Sequence, residues 1–309
     1  MRIRATVAAV SGALALSAFA VPAAQADGSA SYRSDAAKFH AAASADASGK
    51  AAFRASAAAD DPYALDVTFS DVKVNNGKAI PVGTSKHVAV PTTFTLTHGA
   101  DVDITADDFV TGAYIYKGSF DTPDNILFGI LPATCTPVSA TTATCAGDID
   151  IYPGEGELSN TDAGAWKAGA LAIAYNGEDP ASSDFDITKV GLADQGGFAS
   201  PNVQRYSKLT VNASPEPVKK GKTITVTGAL TRANWDTNKY AGYTAQSVKL
   251  QFKKKGTTTY VDVKSVTSGS AGALKTTVKA ATDGYFRYNF AGTTTTPAVK
   301  AAGDFVDVN

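Results

Sequence analysis

The sequence predicts an all-β protein: two consecutive β-sandwich domains behind a signal peptide and an Ala-rich tether. Beyond residue 60, apolar residues recur at a period of two in short runs, Gly-containing turns separate the runs, and no stretch sustains a 3.6-residue period between helix caps. Charge divides the chain as well. Residues 61–202 hold 19 Asp+Glu against 6 Lys+Arg, a net of −13, whereas residues 203–309 hold 16 Lys+Arg against 6 Asp+Glu, a net of +10. The overall charge of −1 conceals this asymmetry, which implies different partners for the two halves or attraction between them.

In chain order, Arg2 and Arg4 precede an apolar run over residues 5–20, followed by Ala24-Gln25-Ala26. That is the layout of a signal peptide, residues 1–26, with the mature chain starting at Asp27. The run is too short and Ala-rich to span a bilayer, and no later run approaches about 18 apolar residues. The expectation is an exported, extracellular protein without a membrane span, in reach of the cell wall. Residues 27–60 are rich in Ala, Ser and Asp and carry a repeat, Phe39 to Asp46 returning as Phe53 to Asp60. Gly49 interrupts the pattern and each repeat has one Phe, so the reading is a mobile tether with nascent helix, against a partner-binding helix as the alternative.

The first sandwich is assigned to residues 61–193. Leu65, Val67 and Phe69 alternate with Asp66, Thr68 and Ser70, and further strands are predicted at 87–90, 92–97, 114–116, 171–175 and 185–190. Asn76-Gly77, His98-Gly99, Pro153-Gly154 and Asn176-Gly177 supply turns in which Gly accepts a positive φ. Residues 194–202, with Gly and Pro and no periodicity, read as a linker. The second sandwich, residues 203–309, opens with Leu209 and Val211, a kink at Pro215 and Pro217, and Ile224, Val226 and Leu230. Val248, Leu250 and Phe252 continue it, Asp283-Gly284 introduces another strand, and Val306 and Val308 close it. Trp235 stands in the loop before the third strand, either capping the core or exposed.

The two cysteines, Cys135 and Cys145, are expected to pair outside the cell. A bridge closing so short a ring contributes roughly 2–3 kcal/mol in the chain-entropy model and serves as a structural clip.

The run Leu209 to Gly228, with Thr231 to Trp235, Val248 to Phe252 and Asp283 to Gly292, resembles a recurrent immunoglobulin-like module of secreted actinobacterial proteins. The leader and Thr95 to Asp101 resemble the corresponding parts of such proteins, so the resemblance covers most of the mature chain. It implies an exported immunoglobulin-like sandwich. Some proteins of this type carry a calcium-binding label, and the family has no catalytic motif to carry over.

Three Asp-x-Asp-Ile runs recur in the acidic half, at Asp101 and Asp103, Asp148 and Asp150, and Asp184 and Asp186. On a strand, alternation sets both carboxylates of a pair on one side, where like charges repel unless solvated or bridged by a cation. Asp107, Asp108, Glu155 and Glu157 lie close in sequence. Calcium takes six to eight oxygens, largely carboxylates and loop carbonyls, so these ten acids are the candidate Ca2+ ligands. Thr105 and Ala106 break the EF-hand pattern, and the competing reading is solvated strand-edge charge. In the basic half, Lys219, Lys220 and Lys222 and the run Lys253, Lys254 and Lys255 form a candidate patch for an anionic cell-wall polymer or another extracellular partner. Nucleic acid is not expected, because no aromatic residues interleave with these lysines in sequence.

No zinc, nucleophile-elbow or thiol signature is present, and the three histidines, His40, His87 and His98, are scattered. The expected function is therefore non-enzymatic. A metal-free structural or adhesion module is the alternative, and an extracellular polysaccharide hydrolase, which needs only two carboxylates, comes third.

Overall fold

The computed structural model describes residues 24–45 and 61–309. Residues 1–23 of the predicted signal peptide and residues 46–60 of the predicted tether lie outside the described residues.

The first sandwich packs a five-stranded sheet on a four-stranded one. The five-stranded sheet runs Tyr63–Ala64, Gly191–Ala199, Lys167–Ala174, Phe109–Gly118 and Pro123–Leu127, and the four-stranded sheet runs Val67–Val74, Val88–His98, Thr142–Ile151 and Thr134–Ser139. Their facing sides bury Leu65, Val67, Phe69, Phe94, Leu96, Ala170 and Ala172. The predicted strands 87–90 and 92–97 are one strand. Pro91 lies just beyond the last rung to Val67–Val74, Val74 opposite Thr92, so its missing N–H costs that pairing nothing. Cys135 and Cys145 stand directly opposite each other across the edge hairpin and form the expected disulfide.

The N-terminal segment differs most from expectation. Ala24–Ala45 is a helix, α1, laid on the outer face of the five-stranded sheet, not a mobile tether over its length. Tyr32, Ala36 and Phe39 share one side of it and are buried against Tyr114, Tyr116, Phe128, Leu171, Ile173 and Leu192. Two glycines make room within the strands: a Cβ at Gly112 would run into the Tyr32 hydroxyl, and one at Gly169 into the Tyr114 ring. Polar anchors lie beneath the helix. His40 Nδ1 donates to Asp194 Oδ2 (2.6 Å), Tyr114 donates to Asp194 Oδ1 (2.6 Å), and the Arg33 guanidinium reaches Glu157 and the carbonyls of Phe128 and Asp150. Burial first, and the Asp194 carboxylate second, push the Tyr114 phenol well above its ordinary pKa.

Asp194 thereby corrects a second expectation. Residues 194–199 belong to the strand Gly191–Ala199 and are no linker; a bulge between Gln195 and Phe198 breaks the alternation a strand would show in sequence. The first domain's contacts also run past residue 203, since Val203–Arg205 pairs in parallel with Ile80–Val82.

The second sandwich is built on Thr223–Asn234, paired along one edge by Ser207–Leu209 and Asn212–Ser214 and along the other by Lys239–Gly242 and Ala273–Lys279. The opposing sheet holds Val261–Thr267, Ser247–Lys254 and Gly284–Phe290, with Val299–Lys300 and Asp304–Val306 on the last. Leu209, Ile224, Val226, Leu230, Leu250, Phe286, Tyr288 and Val306 fill its core. Tyr288 donates to the Val226 carbonyl (2.9 Å), and burial holds its phenol up at about 12.

Trp235 belongs to neither sandwich alone. It follows the central strand of the second, is 2% exposed, and packs among Ile80, Val82, Val90, Ile151, Trp166 and Val203 at one end of the first, its Nε1 donating to the Gly83 carbonyl (2.9 Å). Arg205 Nε donates to the Ala233 carbonyl (2.6 Å), and Asn160 bonds both Asn234 (2.9 Å) and the backbone N–H of Trp235 (3.0 Å). Among the described residues no ion pair joins the acidic half to the basic half. Apolar burial and hydrogen bonds make this junction, among them the Asn160 N–H donating to the Asp236 carboxylate (2.8 Å).

Candidate functional site

Only one of the three acidic pairs lies on a strand. Asp148 and Asp150 face outward on Thr142–Ile151 while Ile149 and Ile151 are buried. Asp150 accepts from the Ile130 N–H (2.8 Å) and from His87 Nε2 (2.7 Å), whose ring stacks on Tyr152. Asp101 and Asp103 instead sit in the loop after Val88–His98. The Gly99 N–H is taken by the Asp66 carbonyl (2.9 Å) and Val102 closes back on the Gly99 carbonyl (3.2 Å), so no strand continues there. Asp103 accepts from Thr105 Oγ1 (2.6 Å) and N–H (2.9 Å), and these bonds hold its carboxyl below its usual pKa.

The expected strand 185–190 is a loop ending in the short 3-10 turn Ile187–Lys189. Asp184 is exposed in that loop. Asp186 caps the turn, held low by the hydroxyl and then the N–H of Thr188. Glu155 and Asp107 are exposed, Glu157 accepts from the Tyr152 N–H (2.6 Å) as well as from Arg33, and Asp108 accepts from the Gly177 N–H (2.7 Å). Among the described residues no three acidic, His or Cys side chains form a group that could hold an ion. Asp101, Asp103 and Asp108 do line one cavity of about 370 Å3, together with Asp66 and Asn176. Asp66 was not singled out in sequence because it reads as an ordinary outward position of the first strand. A second cavity, about 560 Å3, lies between α1 and the loop after Tyr175, lined by Asp35, Lys38, Asp108, Glu178 and Asp179. Burial first and then Asp35, which accepts from the Tyr175 hydroxyl (3.1 Å), push that phenol up.

The two lysine runs are linked at one end of the second sandwich. Lys255 Nζ meets Asp283 Oδ2 (3.2 Å), Asp283 Oδ1 accepts from the Val308 N–H (2.9 Å), and the neighbouring Asn309 carbonyl accepts from the Lys220 N–H (2.8 Å). Lys219, Lys220, Lys222, Lys254 and Lys255 are exposed and Lys253 is half-buried.

Sequence spacing missed the outer face of the adjoining sheet. Phe305 stands opposite Tyr285, and Tyr285 opposite Lys253. Lys253 Nζ lies 4.6 Å from the Tyr285 ring centroid and 5.2 Å from that of Tyr260, the Arg287 guanidinium 3.7 Å from Tyr260, and Lys255 Nζ 5.3 Å from Phe305. Aromatic and cationic side chains therefore alternate in space although they do not in sequence. The only available cue was the placing of Tyr285, Arg287 and Phe305 in strands whose alternate residues fill the core, with Tyr260 just before another strand.

The fold and these surfaces define an all-β protein of two consecutive sandwiches that share a junction core, the first overlaid by a helix. No family model matches the chain, and no curated protein matches it. Among solved structures, it is similar to a marsupial T cell receptor at 13% identity, covering 79% of this chain and 73% of that one, with a TM-score of 0.25. It is similar to FdeC, an Escherichia coli adhesin, at 9% identity over 80% and 66%, with a TM-score of 0.28. It is similar to the ectodomain of mouse nectin-like molecule 4 at 12% identity over 79% and 65%, with a TM-score of 0.21. The chain thus spans just under two thirds of the length of the last two. The fold assignment rests on the sheets themselves, and nothing functional passes from these likenesses.

Proposed function

We propose that the chain is an exported, non-enzymatic module that attaches to an anionic cell-wall polymer through its second sandwich. The observation that carries the reading is the linkage of the two lysine runs at one end of that sandwich, with Asp283 the acid paired to Lys255 there. The disulfide supports an oxidising destination. Mature chain mixed with anionic wall material at low salt is expected to sediment with it and to be released as salt shortens the screening length toward about 8 Å. Chain that stays in the supernatant at low salt overturns the reading and leaves the metal-free structural module; soluble sugar released from the wall material would favour the hydrolase.

Calcium is a second reading, raised by the cavity that Asp66, Asp101, Asp103 and Asp108 line together, although no three of them are grouped to hold an ion as they stand. The loop around Gly99 would close on the ion, as Asp66 and Asp101 already both reach the side of Gly99 where a Cβ would stand. Titrating calcium into protein held in EDTA is expected to raise the melting temperature saturably, by the equivalent of about 2.7 kcal/mol at a hundredfold excess over Kd, with magnesium inert. The shift is expected to vanish in Asp101→Asn. A flat titration leaves these acids as surface charge.

A further inference from the structure

From the aromatic and cationic face of the second sandwich we infer a binding surface for a linear acidic glycan, a sugar chain bearing carboxylates along its length. The inference rests on the reading of this sandwich as the partner-contacting half, and it supplies a ligand chemistry and a face that adjoins the lysine end and shares Lys253 and Lys255 with it. Three features of the face argue for it.

The first is register. Phe305, Tyr285 and Lys253 occupy neighbouring strands at the same level, and such neighbours stand about 4.8 Å apart. That step is close to the length of one sugar unit in an extended glycan, so a chain laid across the strands meets a ring or a cation at every unit. The second is charge. Among the described residues Lys253 and Arg287 have no carboxylate at ion-pair distance, whereas Lys249 and Lys255 at the margins are paired with Asp262 (3.8 Å) and Asp283 (3.2 Å). The centre of the face is therefore the uncompensated part. Third comes preorganisation. A free lysine loses much side-chain freedom on binding an anion, but here Tyr260 and Tyr285 already hold Lys253, and Tyr260 together with the Gln251 side-chain Oε1 (2.9 Å) holds Arg287.

The same geometry disfavours single-stranded nucleic acid. Bases need free ring faces to stack on, and here a guanidinium lies 3.7 Å from the Tyr260 centroid and Lys253 stands over both tyrosines. A carboxylate meets the cations where they stand; a base has to displace them.

The test uses the full mature chain in native gels containing polygalacturonate, neutral dextran or a dT oligonucleotide at low salt. Retardation is expected with polygalacturonate and not with dextran. The double variant Lys253→Gln with Arg287→Gln is expected to weaken it on the order of tenfold. The double variant Lys275→Gln with Lys279→Gln, matched for charge loss on the exposed side of the opposing sheet, is expected to bind polygalacturonate as the parent does. Equal loss in both variants, tighter binding to the oligonucleotide, or no retardation by polygalacturonate overturns the inference. If wall sedimentation persists while polygalacturonate is ignored, this face fails and the wider reading stands; if both are absent, both fail.

Discussion

Trp235→Ala is expected to destabilise the chain by about 3–5 kcal/mol and to split its thermal unfolding into two transitions. The indole is 2% exposed and is the largest side chain that the second sandwich places into the first, among Ile80, Val82, Val90, Ile151, Trp166 and Val203. Removing it opens a cavity at the point where the halves meet and leaves the Gly83 carbonyl without its donor. Each sandwich keeps its own core, Leu65, Phe69, Phe94 and Leu96 in one and Leu230, Leu250, Phe286 and Tyr288 in the other, so each retains the means to melt alone. Calorimetry of the variant against the parent checks this. A variant that still melts in one step at the parental temperature would show that Trp235 contributes nothing to the coupling.

His40→Ala is expected to release α1 while leaving the sandwiches folded. Its imidazole is 3% exposed and bonds Asp194, which would then keep only the Tyr114 hydroxyl and stand as a buried carboxylate short of a donor, at a cost of about 3 kcal/mol. The helix has little to offset that, since its described buried apolar residues are Tyr32, Ala36 and Phe39. Once it lifts, the face formed by Tyr116, Phe128, Leu171, Ile173 and Leu192 meets water. The expected signs are protease cleavage within residues 27–45 and binding of an apolar dye, with strand content unchanged by circular dichroism. Lys38→Ala is the control: its ammonium is mostly exposed and only grazes Asp35 (3.5 Å), so neither sign should appear. Parental protease resistance in His40→Ala would mean that the apolar contacts and the Arg33 anchor hold the helix without the His40–Asp194 bond.

The place of α1 was legible, but from the wrong part of the chain. One Phe per repeat is too little apolar area to pack a helix; Tyr32, one and two turns before Ala36 and Phe39, adds what the repeat lacks. The informative stretch is Lys167–Ala174, buried at every residue after the first. A strand between one core and water alternates; an unbroken run from Ala168 to Ala174 needs cover on both faces. The alternation of Ile224, Val226 and Leu230 works the other way, with one face in the core and one in solvent, and the second sandwich was readable for that reason. Asp-x-Asp-Ile misled at two sites of three. Alternation fixes sides only within a strand, and the turn at Gly99 and the cap at Asp186 place four of the six aspartates in loops. The aromatic and cationic face was invisible because its members are contributed by different strands and the Tyr260 turn, brought level only by pairing.

Both tryptophans of the chain, Trp166 and Trp235, lie in the same junction core. Intrinsic emission is therefore a local gauge of that seam and is blind to the distal half of the second sandwich, whose aromatic residues are Tyr and Phe. An emission-monitored melt follows parting of the halves, while ellipticity and heat capacity follow the whole chain. A gap between those curves measures how far the seam opens before the sheets do.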